Sequence, residues 1–311
     1  MQVTHGSITP GSSRLALTIG NFDGVHRGHQ AMLERVVSRA RALQLPSCVL
    51  TFEPHPREFF TPATAPARLT RLRDKLELMA AAGVSRVHVA RFDARLAALT
   101  AEHFVEDIVA RGLRAAWLLV GRDFRFGAKR GGDFALLERL AGRHGIELEA
   151  MPEVALQGER VSSSAVRAAF AAGDLATAQR LLGRPFAMSG RVAHGEKLGR
   201  ELGFPTANVV LRRRPPLAGI FVVECQLEGE AQWRPGVASV GRRPTVNPTA
   251  APLLEAHLLD YAGDLYRRHL HVRFLKKLRD ERKYDDVPAL RAAIAGDAAQ
   301  ARTYFAKKTN A

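Results

Sequence analysis

Cysteine is nearly missing from this 311-residue chain. Only Cys48 and Cys225 occur, far apart, so neither a disulfide framework nor a four-cysteine zinc site can be assembled. Long apolar runs are missing too. No stretch approaches the length of a membrane span, and the opening MQVTHGSITPGSSRL has no apolar core of a secretory signal. The expected address is therefore the cytoplasm, with no membrane partner. Aromatic residues make up only 7% and are not interleaved with basic ones along a strand, which argues against a surface for single-stranded nucleic acid. GxxxxGK[ST], a strand-linked GxGxxG and HExxH are all absent, which removes the P-loop, the dinucleotide fingerprint and the common zinc-protease pattern. There is no internal repeat.

What is present is an ordinary soluble composition, 46% hydrophobic and 25% charged, at a length that favours two domains over one. The net charge of +15 reads either as a polyanionic partner, nucleic acid or a phosphorylated small molecule, or as a general arginine-rich bias of composition. The excess is scattered over helical segments. Its densest clusters, LRRRPP (211–216) and FLKKLR (274–279), are short, so no nucleic-acid partner is expected.

The first part alternates short apolar runs with periodic segments. RLALTIG (14–20), SCVLTF (47–52), RVHVARF (86–92) and AAWLLVG (115–121) read as strands buried on both faces of a parallel sheet. Between them, HQAMLERVVSRARAL, RLRDKLELMAAAG (71–83), AEHFVEDIVARG behind a Thr100 cap, and GDFALLERLAGRHG (132–145) read as helices. This βα order predicts a doubly wound α/β domain with ligands at the carboxyl ends of its strands. Two more helices, SSSAVRAAFAAG and DLATAQRLLG, lead to Gly183-Arg184-Pro185. Beyond residue 186 the chain becomes short alternating strands parted by Gly, Pro and Asn, then one long helix from VPALRAAIAG onward. That half predicts an antiparallel barrel or sandwich with a terminal helix.

The densest chemistry lies in LTIGNFDGVHRGHQAML (17–33), where Gly20, Gly24 and Gly28 recur every fourth residue around His26 and His29. The segment follows the first strand and opens the first helix, where unpaired N–H groups and the helix dipole favour an anion. Two imidazoles there can donate to phosphoryl oxygens and stabilise charge during group transfer. A metal pair and two ordinary structural histidines remain alternatives. In the second half, PTAN offers the oxygens of Thr206 and Asn208 to a hard cation, though the same residues make ordinary turns. In LLEAHLLD, Glu255 and His257 share the face opposite Leu254, Ala256 and Leu258, so Glu255 is either a solvated strand carboxylate or a base.

The GxxHxGH-type loop resembles that of the nucleotidyltransferase superfamily. Further segments narrow the resemblance: TFEPHPREFF (51–60), VGRDFRFGAKRGGDF (120–134), SSSAVR (162–167), GRELGFPTANVVL (199–211), SVGRRPTVN (239–247) and LLEAHLLDYAGDLY (253–266). Together they resemble the prokaryotic bifunctional riboflavin kinase/FAD synthetase family along nearly the whole chain. That resemblance implies an α/β Rossmann-like nucleotidyltransferase domain with a parallel sheet at 1–185. It also implies an antiparallel β-barrel riboflavin kinase domain with a terminal helix at 186–311. It implies phosphorylation of riboflavin to FMN, then adenylylation of FMN to FAD, with ATP as co-substrate, ADP and pyrophosphate as products, and Mg²⁺ as cofactor. His26, His29, Arg167 and Glu255 are the implied catalytic residues. Gly20, Asn21, Phe22, Asp23, Gly24, Gly28, Ser162, Ser163, Thr206 and Asn208 are implied around ATP and its phosphates, with Thr206 and Asn208 on the metal. Phe52, His55, Pro56, Asp123, Phe124 and Arg125 are implied around the flavin. Self-association is left open. The sequence departs from the family in carrying Ser164 where threonine is usual and Arg267 where glycine commonly follows the tyrosine; Arg122 adds charge beside the DFRFG segment. An adenylyltransferase for another acceptor would leave the barrel half, with PTAN and Glu255, unexplained.

Overall fold

A computed structural model describes residues 1–8, 13–194, 199, 202–211, 213–241 and 251–309. The chain divides into two units, Met1–Pro66 with Thr70–Ser162, and Ala67–Leu69 with Ser163–Ala311.

The first unit is built on a six-stranded sheet ordered β1-β4-β3-β2-β5-β6: β1 (Gln2–Gly6), β2 (Leu15–Ile19), β3 (Ser47–Glu53), β4 (Arg86–Arg91), β5 (Ala115–Gly121) and β6 (Glu147–Met151). Every neighbouring pair is parallel. Alternation along β2 fixes the layers. Leu15, Leu17 and Ile19 pack with Phe104, Val105, Val109, Leu137 and Leu140 on one face. Ala16 meets Val36, Ala40, Trp117 and Leu119 on the other. Helix α1 (Arg27–Ala42) covers that second face, and so does α3 (Leu72–Ala81), which follows the short α2 (Pro56–Phe60) and buries Met79 against Val49 and Val87. The chain steps from β2 outward through β3 to β4, then returns to place β5 on the other side of β2. The strand order therefore reverses between β2 and β5, the place where such sheets hold ligands beyond their carboxyl ends.

Two local features differ from the sequence expectation. Strand β1 went unseen because QVTHG is short, mostly exposed and lacks an apolar run. It joins the sheet edge beside β4, where His88 Nδ1 bonds Thr4 Oγ1 (2.8 Å) and His88 Nε2 bonds Gly6 O (3.2 Å). The helix expected over AEHFVEDIVARG follows a brief α4 (Ala94–Ala97) and starts as α5 (Ala101–His103), capped by Thr100. It then widens into a π-helix at Phe104–Gly112. The wider turn buries Phe104, Val105 and Val109 together, and Leu113 N reaches back to Ile108 O (2.9 Å). Helix α6 (Phe134–Arg143) and the hairpin β7 (Ala155–Leu156)–β8 (Glu159–Arg160) complete the unit.

The second unit is a six-stranded antiparallel sheet ordered β10-β13-β12-β11-β14-β9, from β9 (Phe186–Arg191), β10 (Ala207–Val210), β11 (Gly219–Leu227), β12 (Arg234–Gly241), β13 (Leu253–Leu258) and β14 (His269–Arg279). An antiparallel bridge between Ala193 and Asn208 links the chain leaving β9 to β10, so the sheet curls nearly into a closed barrel. The terminal helix α9 (Val287–Thr309) lays Ala298 and Ala301 against Val222 and Leu259. Arg279 holds it through a two-pronged pair with the buried Asp297 (3.0 and 2.6 Å). Helices α7 (Ser163–Ala171) and α8 (Leu175–Leu182) belong to this unit as well. The Phe170 ring meets Phe186 edge-on (4.8 Å), and Gln179 Nε2 donates to Phe274 O (2.9 Å). Both cysteines are buried, and burial pushes each thiol up to about 12.

Candidate active sites

In the first unit the loop after β2 ends on His26, which is the N-cap of α1: its Nδ1 accepts the backbone N–H of His29 (3.3 Å). An accepting Nδ1 puts the proton of the neutral ring on Nε2. The His29 ring stacks on it, centroids 3.7 Å apart and planes 17° from parallel, with Phe22 tilted against His29 at 4.9 Å. Gly28 permits the arrangement, because a Cβ there would lie 3.2 Å from the His26 ring. The Phe22 ring lies over Gly20 in the same way, 3.1 Å from where a Cβ would stand. Gly24 takes a left-handed φ of 87°, and the non-glycines Phe22 (49°) and Val25 (40°) do so as well. Each of those two costs about 1–3 kcal/mol of backbone strain, which persists only where the surroundings over-determine the loop. Helix α1 has no acidic residue in its first turn, so no carboxylate there repels an anion. Asn21 Oδ1 is buried without a hydrogen-bond partner among the described residues.

The ends of β3 and β5 flank this loop, since both strands pair with β2 in parallel. At β3, Phe52 stands edge-on to Phe92 (5.9 Å), and His55 caps α2 by accepting Arg57 N–H on Nδ1 (3.1 Å) while Glu58 accepts from His55 N. Pro56 begins that helix, as suits a residue without an N–H. Sequence reasoning missed the rest of this cluster: Phe59, Phe60 and Phe92 meet pairwise edge-on at 5.2–5.6 Å, and Phe60 is 61% exposed. The adjacent phenylalanines of PREFF were the available signal. At β5, Asp123 pairs with Arg160, whose guanidinium is held above its ordinary range first by that hydrogen bond; Glu153 sits at 3.3 Å. Phe124 stacks on Phe126 (5.5 Å), while Phe126 is buried against Phe104 and is a core ring. Arg125 reaches Asp133 only loosely (3.8 Å), and Arg122 lies 6.0 Å from the Phe134 ring centre. Ser162 closes the first unit. Ser163 opens α7 in the second, where Arg167 Nε donates to Ala67 O (2.7 Å).

In the second unit, strand register does the assembling. Asn208 of β10 and Ser239 of β12 both stand directly across from Glu255 of β13, so the three share a face. Along β13 Leu254, Ala256 and Leu258 are buried while Glu255 and His257 are not, as their alternation predicts. Asn208 Oδ1 is buried with no hydrogen-bond partner among the described residues, and Thr206 lies two positions before it. An orphaned amide oxygen beside a hydroxyl is the donor set a hard cation accepts. His257 Nδ1 bonds Pro205 O (2.9 Å) and so fastens the PTAN segment to β13. Beside it opens a cavity of about 500 Å³ lined by Phe204, Pro205, His257, Tyr261, Ala298 and Arg302, of a size for a small-molecule ring system. The carboxyl of Glu281 is pushed above the usual carboxylate range by desolvation and then by the charge of Glu255, against the pull of Arg279. No sequence pattern pointed to Glu281. Arg267 adopts φ 63°, the left-handed backbone that glycine takes without cost, and its N–H bonds Val192 O (3.0 Å); next to it Tyr266 stacks on His194 at 4.0 Å. The last nine positions before Ala251, most of the SVGRRPTVN motif among them, lie outside the described residues, as do Arg200 and Glu201.

Two family models match this chain, FAD synthetase over residues 9–165 and riboflavin kinase over 182–305. The chain is 50% identical over 98% of its length, and 98% of the relative's, to a bifunctional riboflavin kinase/FMN adenylyltransferase of Pseudomonas fluorescens. It is also 50% identical, over 93% of its length and 92% of the relative's, to the protein of that name from Escherichia coli K12. A crystal structure described as a macrolide-efflux protein from Streptococcus pneumoniae superposes with a TM-score of 0.81 at 26% identity, covering 97% of this chain and 99% of that one. Efflux is said of that protein. Among the described residues of this chain no helix is long and apolar enough to cross a membrane.

Proposed function

The chain belongs to the bifunctional riboflavin kinase/FMN adenylyltransferase family, and from that premise we propose how its residues divide the two reactions. Riboflavin phosphorylation is assigned to the strand-built site. Glu255 takes the proton of the terminal ribityl hydroxyl as that oxygen attacks the γ-phosphorus of ATP, and ADP leaves. Thr206 and Asn208 would hold Mg²⁺, which supplies neutralising charge to the phosphates when bound. His257 keeps the PTAN segment in place through Pro205. The cavity beside it takes a planar ring of one substrate.

FMN adenylylation is assigned to the loop site. A phosphate oxygen of FMN attacks the α-phosphorus of ATP and pyrophosphate leaves; Nε2 of His26 and the ring of His29 donate to the oxygens that gain charge. Gly20, Asn21, Phe22, Asp23, Gly24 and Gly28 shape that loop, and Ser162, Ser163 and Arg167 are assigned to the triphosphate by their motif. The flavin set of Phe52, His55, Pro56, Asp123, Phe124 and Arg125 is extended by Phe59, Phe60 and Phe92, which offer ring faces for an isoalloxazine. Neither reaction needs nucleic acid or a membrane, and the work is assigned to the cytoplasm. Domains of 1–185 and 186–311 carry the two activities.

The observation that carries this reading is the strand register that sets Glu255 directly across from Asn208, whose buried side-chain oxygen has no hydrogen-bond partner among the described residues. Incubating the purified protein with riboflavin, ATP and Mg²⁺ should yield FMN and then FAD. Failure to form FMN would overturn the kinase assignment, and failure to convert supplied FMN to FAD would overturn the other.

A further inference from the structure

Under the histidine loop lies a buried polar group that neither reaction consumes. Asp23, Thr51, Thr70 and Lys75 are 3%, 0%, 6% and 2% exposed. Each bonds toward the loop or toward a neighbour that does. Asp23 Oδ1 accepts from Thr70 N (3.0 Å) and from Thr70 Oγ1 (3.3 Å), while Thr70 Oγ1 in turn accepts the N–H of Gly24 (3.0 Å). That uses the one donor and one of the two acceptor positions of a hydroxyl. Lys75 Nζ donates to the backbone oxygen of Asn21 (2.6 Å) and to Thr51 Oγ1 (3.5 Å), and Thr51 Oγ1 donates to the same oxygen (3.3 Å). The contacts fall on Asn21, Asp23 and Gly24, alongside the residues whose backbone is left-handed, Phe22, Gly24 and Val25.

Burying an ammonium and a carboxylate is a poor way to stabilise a fold, because well-packed apolar side chains of the same volume commonly do as well or better. What such groups add is direction, since each bond fixes one backbone atom. A strained loop persists only when its surroundings over-determine it. The next residue after the strained stretch is His26, whose cap on α1 sets the place of His29. We infer that Thr70 and Lys75 are positioning residues for FMN adenylylation, holding the loop backbone so that the two imidazoles meet the transferring phosphate. This rests on the adenylylation reading given above.

The test compares Thr70→Val, which keeps the shape of threonine and loses its hydroxyl, with Thr70→Ser, which keeps the hydroxyl. Lys75→Met removes the ammonium and keeps the stem. Each full-length variant is assayed for FMN adenylylation (kcat and KM for ATP), riboflavin phosphorylation and thermal unfolding. Thr70→Val and Lys75→Met should lower kcat for adenylylation by roughly 10- to 100-fold, the scale of a slightly misplaced catalytic group. KM for ATP should move far less, riboflavin phosphorylation should stay at the wild-type rate, and Thr70→Ser should recover most of the loss. Wild-type adenylylation in Thr70→Val, a Thr70→Ser protein as slow as Thr70→Val, or a loss that merely follows the fraction unfolded would each overturn the inference. If the unaltered protein made no FAD, the adenylylation reading itself would fall, separately from the role of Thr70 and Lys75.

Discussion

The histidine site and the carboxylate site are built by opposite means. In the first unit the paired imidazoles sit on irregular backbone between a strand and a helix, with left-handed residues at Phe22, Gly24 and Val25. In the second, Asn208, Ser239 and Glu255 are neighbours because three strands pair in register. A ladder supplies position without further help, and a one-residue slip would send Glu255 into the core and Leu254 out, so the register itself guards the site. A loop has no such guard, and its geometry is spread over side chains beneath it. Substitutions away from the reacting atoms should therefore harm the first site more readily than the second.

The sharpest way to break this contrast is to remove chemistry while keeping shape. Glu255→Gln should slow riboflavin phosphorylation by roughly 10²–10⁴, the usual worth of a general base. Conversion of supplied FMN to FAD should continue near the wild-type rate, as a coupled assay with either flavin as starting material will show. His29→Ala makes the converse cut, lowering FMN adenylylation by roughly 10²–10³ while phosphorylation persists. Parallel loss of both activities in a folded variant would show that the two sites do not act separately.

A milder intervention asks how much of the barrel's stability comes from the helices before it. Fragments 163–311 and 186–311 should both make FMN and no FAD. The longer one should melt roughly 5–10 °C higher, because it keeps the Phe170–Phe186 contact and the Gln179 bond to Phe274. Equal melting points would mean that α7 and α8 contribute nothing to this unit.

The smallest effect concerns the sheet edge. Burial, opposed by the bond to Gly6 and helped by nearby His5, holds the His88 imidazole below its ordinary value of 6.5. The unfolded chain therefore takes up a proton that the folded one resists as pH falls through 6.5, so this contribution to stability is present above that pH and lost below it. The melting temperature should fall by a few degrees between about pH 7.5 and 5.5, and less in His88→Gln. An equal fall in both proteins would remove His88 as its source.

Much of this could be read before any coordinates. Apolar runs marked the central strands, and alternation in LLEAHLLD put Glu255 on the face it occupies. The sequence could not say that Asn208 stands opposite Glu255, because register is a property of two distant segments at once. Nor could it separate the two histidines: His26 spends Nδ1 on its own helix, which depends on the turn that brings it to the cap. Thr70 and Lys75 were invisible for another reason. In RLTRLRDKLEL they read as a loop residue and an ordinary basic residue, and both are buried only once α3 packs against β3 and β4. Arg267 departs from the glycine usual in the family, and its φ of 63° is a left-handed backbone that glycine would adopt without cost.

The two thiols carry a last consequence. Cys48 and Cys225 are buried and held as neutral thiols, and only the thiolate reacts readily with peroxide or a disulfide. Neither cysteine is thus placed to react quickly with an oxidant while the protein stays folded.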